Sequence, residues 1–234
     1  DIKDKTIWKI SMPIRCEQRL EVNPESQWIN TNYLALPLKI YYFLNASVNP
    51  GKYKQILVDH LTLLKNQGTV YKANCELNIC CAGNAEDMHT VAQIAENIFP
   101  SLFKKDANDL SAARLKIIYI PFSIYERDCL SILWRDAQIS DEDTAFCYAH
   151  AKGVSVQKLA ARKVPELLSS RLVLSRLSSL ADLLRALPGI QKIGVNFSPE
   201  GFAWHNFWVA KSSYLKKIPP PALSDNRYYY EYWL

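Results

Sequence analysis

The sequence predicts an α/β fold with a mostly parallel, Rossmann-like sheet flanked by helices, on three observations. Short runs rich in β-branched and aromatic residues recur along the chain, segments with apolar residues at helical spacing separate them, and Gly, Pro and Asn mark the junctions. Strands alternating with helices of these lengths favour a parallel sheet, because each crossover helix carries the chain back over one sheet face.

Residues 1–36 mix short apolar pieces with polar and Pro-containing ones, which predicts an N-terminal arm or small extension before a domain spanning 37–234. Pro37–Asn45 (P-L-K-I-Y-Y-F-L-N) reads as the first strand, closed by Asn49-Pro50-Gly51. Lys52–Gln67 sets Tyr53, Ile56, Leu57, Leu61 and Leu64 on one helical face and stops at Gly68. Glu76–Cys81 is the second strand, turning at Gly83-Asn84, and Met88–Phe103 returns to helical spacing through Val91, Ile94, Ala95 and Ile98. Leu115–Pro121 gives the third strand, and Ser123–Gln138 a helix with Leu130, Leu133 and Trp134 on one side. The fourth strand lies within Asp141–Ser155, around the apolar run Thr144–Tyr148. Val164–Leu187 reads as helical up to Pro188-Gly189, and Ile190–Phe197 as the fifth strand. Phe202–Ala210 looks like one extended aromatic run, and Lys211–Ile218 like a short helix ended by Pro219-Pro220-Pro221. The finish on R-Y-Y-Y-E-Y-W-L, without a polar tail, is read as a domain truncated at its C-terminus.

Hydrophobic residues at 49% and charged residues at 22% exclude disorder of the whole chain. The net charge of +5 suits anionic ligands such as nucleotide diphosphates, or peripheral contact with an anionic membrane surface. No basic tract, zinc-finger spacing or RNP-like motif accompanies that charge, so nucleic acid is not an expected partner. The six cysteines form no C-x-x-C pair and mostly sit in apolar runs, as reduced thiols do. With no secretory leader and no apolar run near the ~20 residues of a membrane span, a cytoplasmic location is expected.

Chemistry concentrates where the fourth strand ends, at His150, Lys152 and Gly153. Ligands of open α/β sheets bind outside the strand carboxyl ends, Lys brings positive charge, and Gly admits close approach. The plain alternative is a solvated Lys beside a strand-ending Gly. Asp141-Glu142-Asp143 is acidic enough to bind a cation, but it precedes the strand and belongs at the opposite edge.

Four blocks carry a resemblance: Y-E-R-D-C-L-S-I-L-W-R-D-A (Tyr125–Ala137); A-F-C-Y-A-H-A-K-G-V-S (Ala145–Ser155); G-V-N (Gly194–Asn196) with F-A-W-H-N-F-W-V-A-K-S-S-Y-L-K-K-I-P (Phe202–Pro219); and R-Y-Y-Y-E-Y-W-L (Arg227–Leu234). In order and spacing they resemble a little-characterised group of glycosyltransferases from bacterial polysaccharide clusters and large viruses. Ala151 stands where that group usually carries Thr, and Ala203-Trp204-His205 replaces its small-residue step.

The resemblance implies a glycosyltransferase-A-like domain that moves a sugar from a nucleotide-sugar donor to a saccharide or glycolipid acceptor in polysaccharide biosynthesis. It implies Glu231 as catalytic base, with Asp225 in reserve and Arg227 beside it. His150-Ala151-Lys152 occupies the place where such folds normally hold a divalent cation through two carboxylates. Two basic side chains make poor ligands for Mg²⁺ or Mn²⁺, so Lys152 and a His150 N–H are expected to face the leaving diphosphate without a metal. The alternative is a bound Mg²⁺ or Mn²⁺. By the same analogy Asn45, Ser47, Tyr125, Glu126, Gly153 and Asn196 belong to the donor side. Trp204, His205, Asn206, Trp208, Asp225 and Arg227 belong to the sugar and acceptor side. The rival reading is a non-catalytic carbohydrate- or protein-binding α/β domain that uses the aromatic C-terminal third.

Overall fold

The alternating segments build one six-stranded sheet in the order β3-β2-β1-β4-β6-β5. The structure is a computed structural model that describes residues 36–47, 50–103, 114–121, 125–141, 144–151, 168–195, 197–198, 202–226 and 228–234, with backbone alone at 50, 51, 103, 204 and 231. The N-terminal arm expected at 1–36 lies outside the described residues apart from Leu36.

Strands β1 (Leu38–Asn45), β2 (Cys75–Ala82), β3 (Leu115–Ile120) and β4 (Ala145–His150) run parallel, with β1 central between β2 and β4. Being covered on both faces, β1 and β4 are almost continuously apolar, whereas the edge strand β3 leaves Lys116 and Tyr119 exposed. Among the described residues strand β5 (Lys192–Gly194) pairs with β6 (Trp208–Lys211) alone, and β6 lies antiparallel to both β5 and β4. No crossover helix lies between β5 and β6 among the described residues, and with β6 running in the reverse direction the sheet is mixed.

Helices α1 (Pro50–Asn66), α2 (Ala85–Ile98), α3 (Pro100–Phe103), α5 (168–174) and α6 (Leu177–Ala186) accompany one face, where Tyr53, Leu57, Val91 and Leu184 pack on Ile40, Tyr42, Cys147 and Val209. Helices α4 (Arg127–Ile139), α7 (Ser212–Leu215) and α8 (Tyr229–Tyr232) cover the other, where Leu130, Leu133, Leu215 and Tyr230 meet Tyr41, Phe43, Phe146, Tyr148 and Trp208. Strand parity decides this partition, since successive side chains of β1 and β4 point to opposite faces.

Local chemistry explains where boundaries differ from the sequence expectation. Helix α2 starts at Ala85 rather than Met88, because Asn84 and Asp87 form a reciprocal capping box. Helix α4 starts at Arg127 rather than Ser123, because Tyr125 adopts a left-handed φ of 53° that a helix cannot contain. The fifth strand shrinks to three residues, and Phe197 instead pairs antiparallel with Ala203. The Phe202–Ala210 run is not one strand: a 3-10 turn at Trp204–Asn206, with left-handed φ at His205 and Asn206, splits it.

Gly194 sits where that loop closes over β5, and a Cβ there meets Ala203 Cβ at 3.0 Å, the Phe197 ring at 3.1 Å and the Phe207 carbonyl at 3.1 Å. Gly194→Ala is therefore expected to cost about 1–3 kcal/mol by overpacking, measured as a lower urea midpoint at unchanged slope. Full wild-type stability would show that the loop yields freely.

The five described cysteines are free and buried. Burial pushes the thiols of Cys75 and Cys81 up to about 12, which leaves them as unreactive core residues. Among the described residues no helix is long and apolar enough to cross a membrane.

Candidate functional site

The chain moves outward from β1 to β2 to β3, then returns to place β4 on the other side of β1. In open α/β sheets ligands bind outside the strand carboxyl ends at the point where strand order reverses. His150 is the last residue of β4 and pairs in register with Phe43 of β1, so it stands at that edge.

His150 is buried, and both of its ring nitrogens are engaged. Nε2 lies 2.9 Å from the carbonyl oxygen of His205, and Nδ1 lies 2.8 Å from Oε1 of Glu126. A carbonyl only accepts, so Nε2 carries a hydrogen, and a second proton lies between Nδ1 and the carboxylate. Asn206 Nδ2 donates to the other oxygen of Glu126 at 2.5 Å and to the Tyr230 carbonyl at 3.3 Å, while Asn206 Oδ1 accepts from the Trp208 indole at 2.8 Å. One side chain, Glu126, thus ties together the residue before α4, the end of β4, the turn before β6 and, through Asn206, helix α8. These groups are within or at the rim of the core, where charge-assisted hydrogen bonds are stronger than on the surface.

Every described non-glycine residue with positive φ belongs to this cluster: Tyr125 at 53°, His205 at 67° and Asn206 at 54°. Asn tolerates the left-handed region, while His and Tyr adopt it at a cost that the surrounding contacts must offset. Backbone strain concentrated beside a buried carboxylate–imidazole pair marks this edge as the candidate site.

An aromatic wall backs the cluster. Tyr148 stacks on Trp208 at 5.5 Å, and Phe207 packs on His150 at 5.2 Å. The Tyr148 hydroxyl is close enough to Glu126 to feel its charge, yet closes no hydrogen bond of ordinary geometry; burial first, then that carboxylate, hold its pKa well above the ordinary value. On the other sheet face His60 shares a hydrogen bond of 2.9 Å with the Tyr42 hydroxyl, and its edge meets Phe207. Burial, then the charges of His150 and Arg171, push His60 down to about 4, so it is neutral.

The sequence-predicted residues divide as follows. Glu126, His150, His205, Asn206 and Trp208 are brought together. The manner differs from expectation, because His150 has no ring N–H left for a diphosphate and Trp208 and Asn206 are each about 1% exposed, beneath the surface. Their contribution is to build the site's floor, not to stack on or bond a sugar directly. Tyr125 is exposed next to Glu126. Asn45 ends β1, and its Oδ1 accepts the Ser47 N–H at 3.1 Å, forming an Asx turn that leaves Ser47 exposed. Asp225 is exposed in the loop before α8. Lys152, Gly153, Asn196 and Arg227 lie outside the described residues, as do the side chains of Trp204 and Glu231.

Asp141 sits at the amino end of β4, where its carbonyl accepts from the Thr144 N–H and the Ser212 hydroxyl; Glu142 and Asp143 lie outside the described residues. That edge of the α4 face is closed by Lys39 and Tyr41, which hold Asp136 at 2.7 and 2.6 Å. Among the described residues no three His, Cys, Asp or Glu side chains converge as metal ligands.

Sequence reasoning missed Tyr148 and Tyr230, and it gave Tyr228 and Tyr232 no role. The signal for the latter was present: in R-Y-Y-Y-E-Y-W, positions 228 and 232 share one helical side while 230 and 233 take others. No protein-family model, no curated protein and no solved structure matches this chain.

Proposed function

We propose that the protein is a nucleotide-sugar-dependent glycosyltransferase of glycosyltransferase-A-like architecture, acting at the carboxyl edge of β1 and β4 on a saccharide or glycolipid acceptor. The observation that carries the reading is the Glu126–His150–Asn206 network at the end of β4, bracketed by three left-handed residues, within the blocks that resemble glycosyltransferases. His150 and Glu126 act as positioning residues in this scheme. They fix the strand end, and the Ala151 N–H bond to the Phe43 carbonyl at 2.8 Å fixes the next residue, immediately before Lys152. Lys152 supplies the positive charge for the diphosphate, in place of a divalent ion. In an inverting transfer Glu231 accepts the proton of the acceptor hydroxyl while its oxygen bonds the anomeric carbon. The bond from that carbon to the diphosphate oxygen breaks, and the nucleoside diphosphate leaves with the electron pair.

A panel of UDP-, GDP-, CMP- and dTDP-sugars tests the donor half. A ligand at a hundred times its Kd adds about 2.7 kcal/mol, which for a chain of this size raises Tm by about 5–10 °C. One member of the panel is expected to do so, Lys152→Ala to abolish the shift, and Glu231→Gln to keep the shift but lose turnover. No shift with any donor overturns the reading.

The engagement of both His150 nitrogens favours one alternative, a non-catalytic carbohydrate- or protein-binding domain in which the network only holds the fold. Under it, Lys152→Ala and Glu231→Gln leave function intact.

A further inference from the structure

We infer that Tyr228, the residue before α8, and Tyr232, in its last turn, form a platform that stacks on a pyranose ring of the acceptor saccharide. This rests on the transferase reading and assigns it an acceptor subsite that replaces the buried Trp208 in that role.

Helix α8 is held by what it turns inward. Tyr230 is fully buried, and its hydroxyl accepts the Ser224 N–H at 3.1 Å and lies 3.3 Å from the Ala222 carbonyl. The Trp233 indole donates to the Pro219 carbonyl at 3.0 Å, and the Ala222 N–H donates to the Tyr229 hydroxyl at 3.0 Å. The Tyr230 carbonyl accepts from Asn206, so this helix is tied to the Glu126–His150 network. The turn into α8 is fixed by Asn226 Oδ1, which accepts the Tyr228 N–H at 3.0 Å.

With those anchors set, the next side presents two rings to solvent: Tyr228 is 49% exposed and Tyr232 47%. They lie 6.5 Å apart at an interplanar angle of 20°, and Phe202 supports Tyr232 at 4.4 Å. Tyr125, also exposed, packs on Tyr230 at 6.3 Å, which links the platform to the residue before Glu126.

Size and chemistry choose the occupant. A whole tyrosine ring buries at most ~150–250 Å², so two half-exposed rings offer roughly 200 Å², far below the ~800 Å² per partner of a stable protein interface. A single sugar ring is covered by such an area. Its C–H face suits an aromatic ring. A tyrosine ring has only two side-chain torsions to fix, so little side-chain entropy is lost on binding.

Saturation-transfer NMR on the full chain tests this with methyl β-D-glucopyranoside, methyl β-D-galactopyranoside and methyl α-D-mannopyranoside as probes. At least one is expected to receive saturation on the protons of one ring face. The transfer should fall at least fivefold in the Tyr228→Ala/Tyr232→Ala double variant and persist in the Tyr228→Phe/Tyr232→Phe variant. Both residues are half-exposed, so the Ala variant is expected to fold, with far-UV circular dichroism as control, and single Tyr232→Ala gives a second test. No transfer to any probe, equal transfer in the Ala variant, or loss of self-association in that variant without glycoside binding overturns the platform. The nucleotide-sugar melting panel on the same variants separates the two ideas. A donor shift without glycoside binding removes the platform alone, whereas glycoside binding without any donor shift removes the transferase reading and leaves a sugar-binding surface.

Discussion

Glu126→Ala is expected to lower the unfolding free energy by about 3–5 kcal/mol, the largest effect of any single substitution at the site. The carboxylate holds His150 at 2.8 Å and Asn206 at 2.5 Å, and the His150 side chain is only 7% exposed. Removing it strands an imidazole nitrogen and an amide donor where water does not readily replace the lost partner. Glu126→Gln separates charge from geometry. Its amide NH₂ can donate to Nδ1 of a neutral His150 while its oxygen accepts from Asn206, so the network survives at a cost of about 1 kcal/mol. Urea unfolding of the three proteins at pH 7 gives the comparison. Equal losses for Ala and Gln would mean that the carboxylate's charge, not the shape of the network, holds these four elements together.

Acidification is expected to remove about 3 kcal/mol of stability through His60 alone. Its folded value of about 4 lies below the ordinary 6.5, because burial and the charges of His150 and Arg171 disfavour its protonation. Between those values the unfolded chain takes up a proton that the folded chain refuses. The contribution is present in full above pH 6.5, declines as pH falls, and levels off near 4; about 2.5 units at 1.36 kcal/mol each give the magnitude. Carboxylates also titrate in this range, so the test is the difference between wild type and His60→Gln, unfolded with urea at pH 7, 6, 5 and 4.5. That difference should shrink steadily toward acid. A constant gap would show that water reaches His60 and charges it in place.

How much of this was readable beforehand depends on whether the cause was local. Strands β1, β2 and β4 announce themselves because burial on both faces demands continuous apolar runs such as I-Y-Y-F-L and A-F-C-Y-A. Gly68 likewise marks the end of α1, with a φ of 63° that glycine adopts without strain. The reversal of β6 was not legible, since it shows only in its antiparallel pairing with β4 and β5, not in the composition of W-V-A-K. Nor was the left-handed backbone at Tyr125 and His205, because neither residue type favours it and only tertiary contacts impose it. At the site, the residue types were visible but their pairing was not. Glu126 read as a contact on the donor side, and His150 as a hydrogen-bond donor facing the diphosphate. Only the approach of the residue before α4 to the end of β4 couples them and engages Nδ1, while the His205 carbonyl in the turn before β6 engages Nε2. Trp208 stood out as an aromatic candidate, yet strand parity turns it inward against Tyr148.

The central claim, a nucleotide site at the carboxyl edge of β1 and β4, is tested most directly by titrating UDP, GDP, CMP and dTDP in turn into the ¹⁵N-labelled chain. The account predicts that one of them shifts the amides of Asn45, Ala46, Glu126 and Ala151 and the Trp208 indole, while Leu36, Asn74 and Asp141 at the amino edge stay still. Silence with all four nucleotides, or shifts confined to the amino edge, would contradict it.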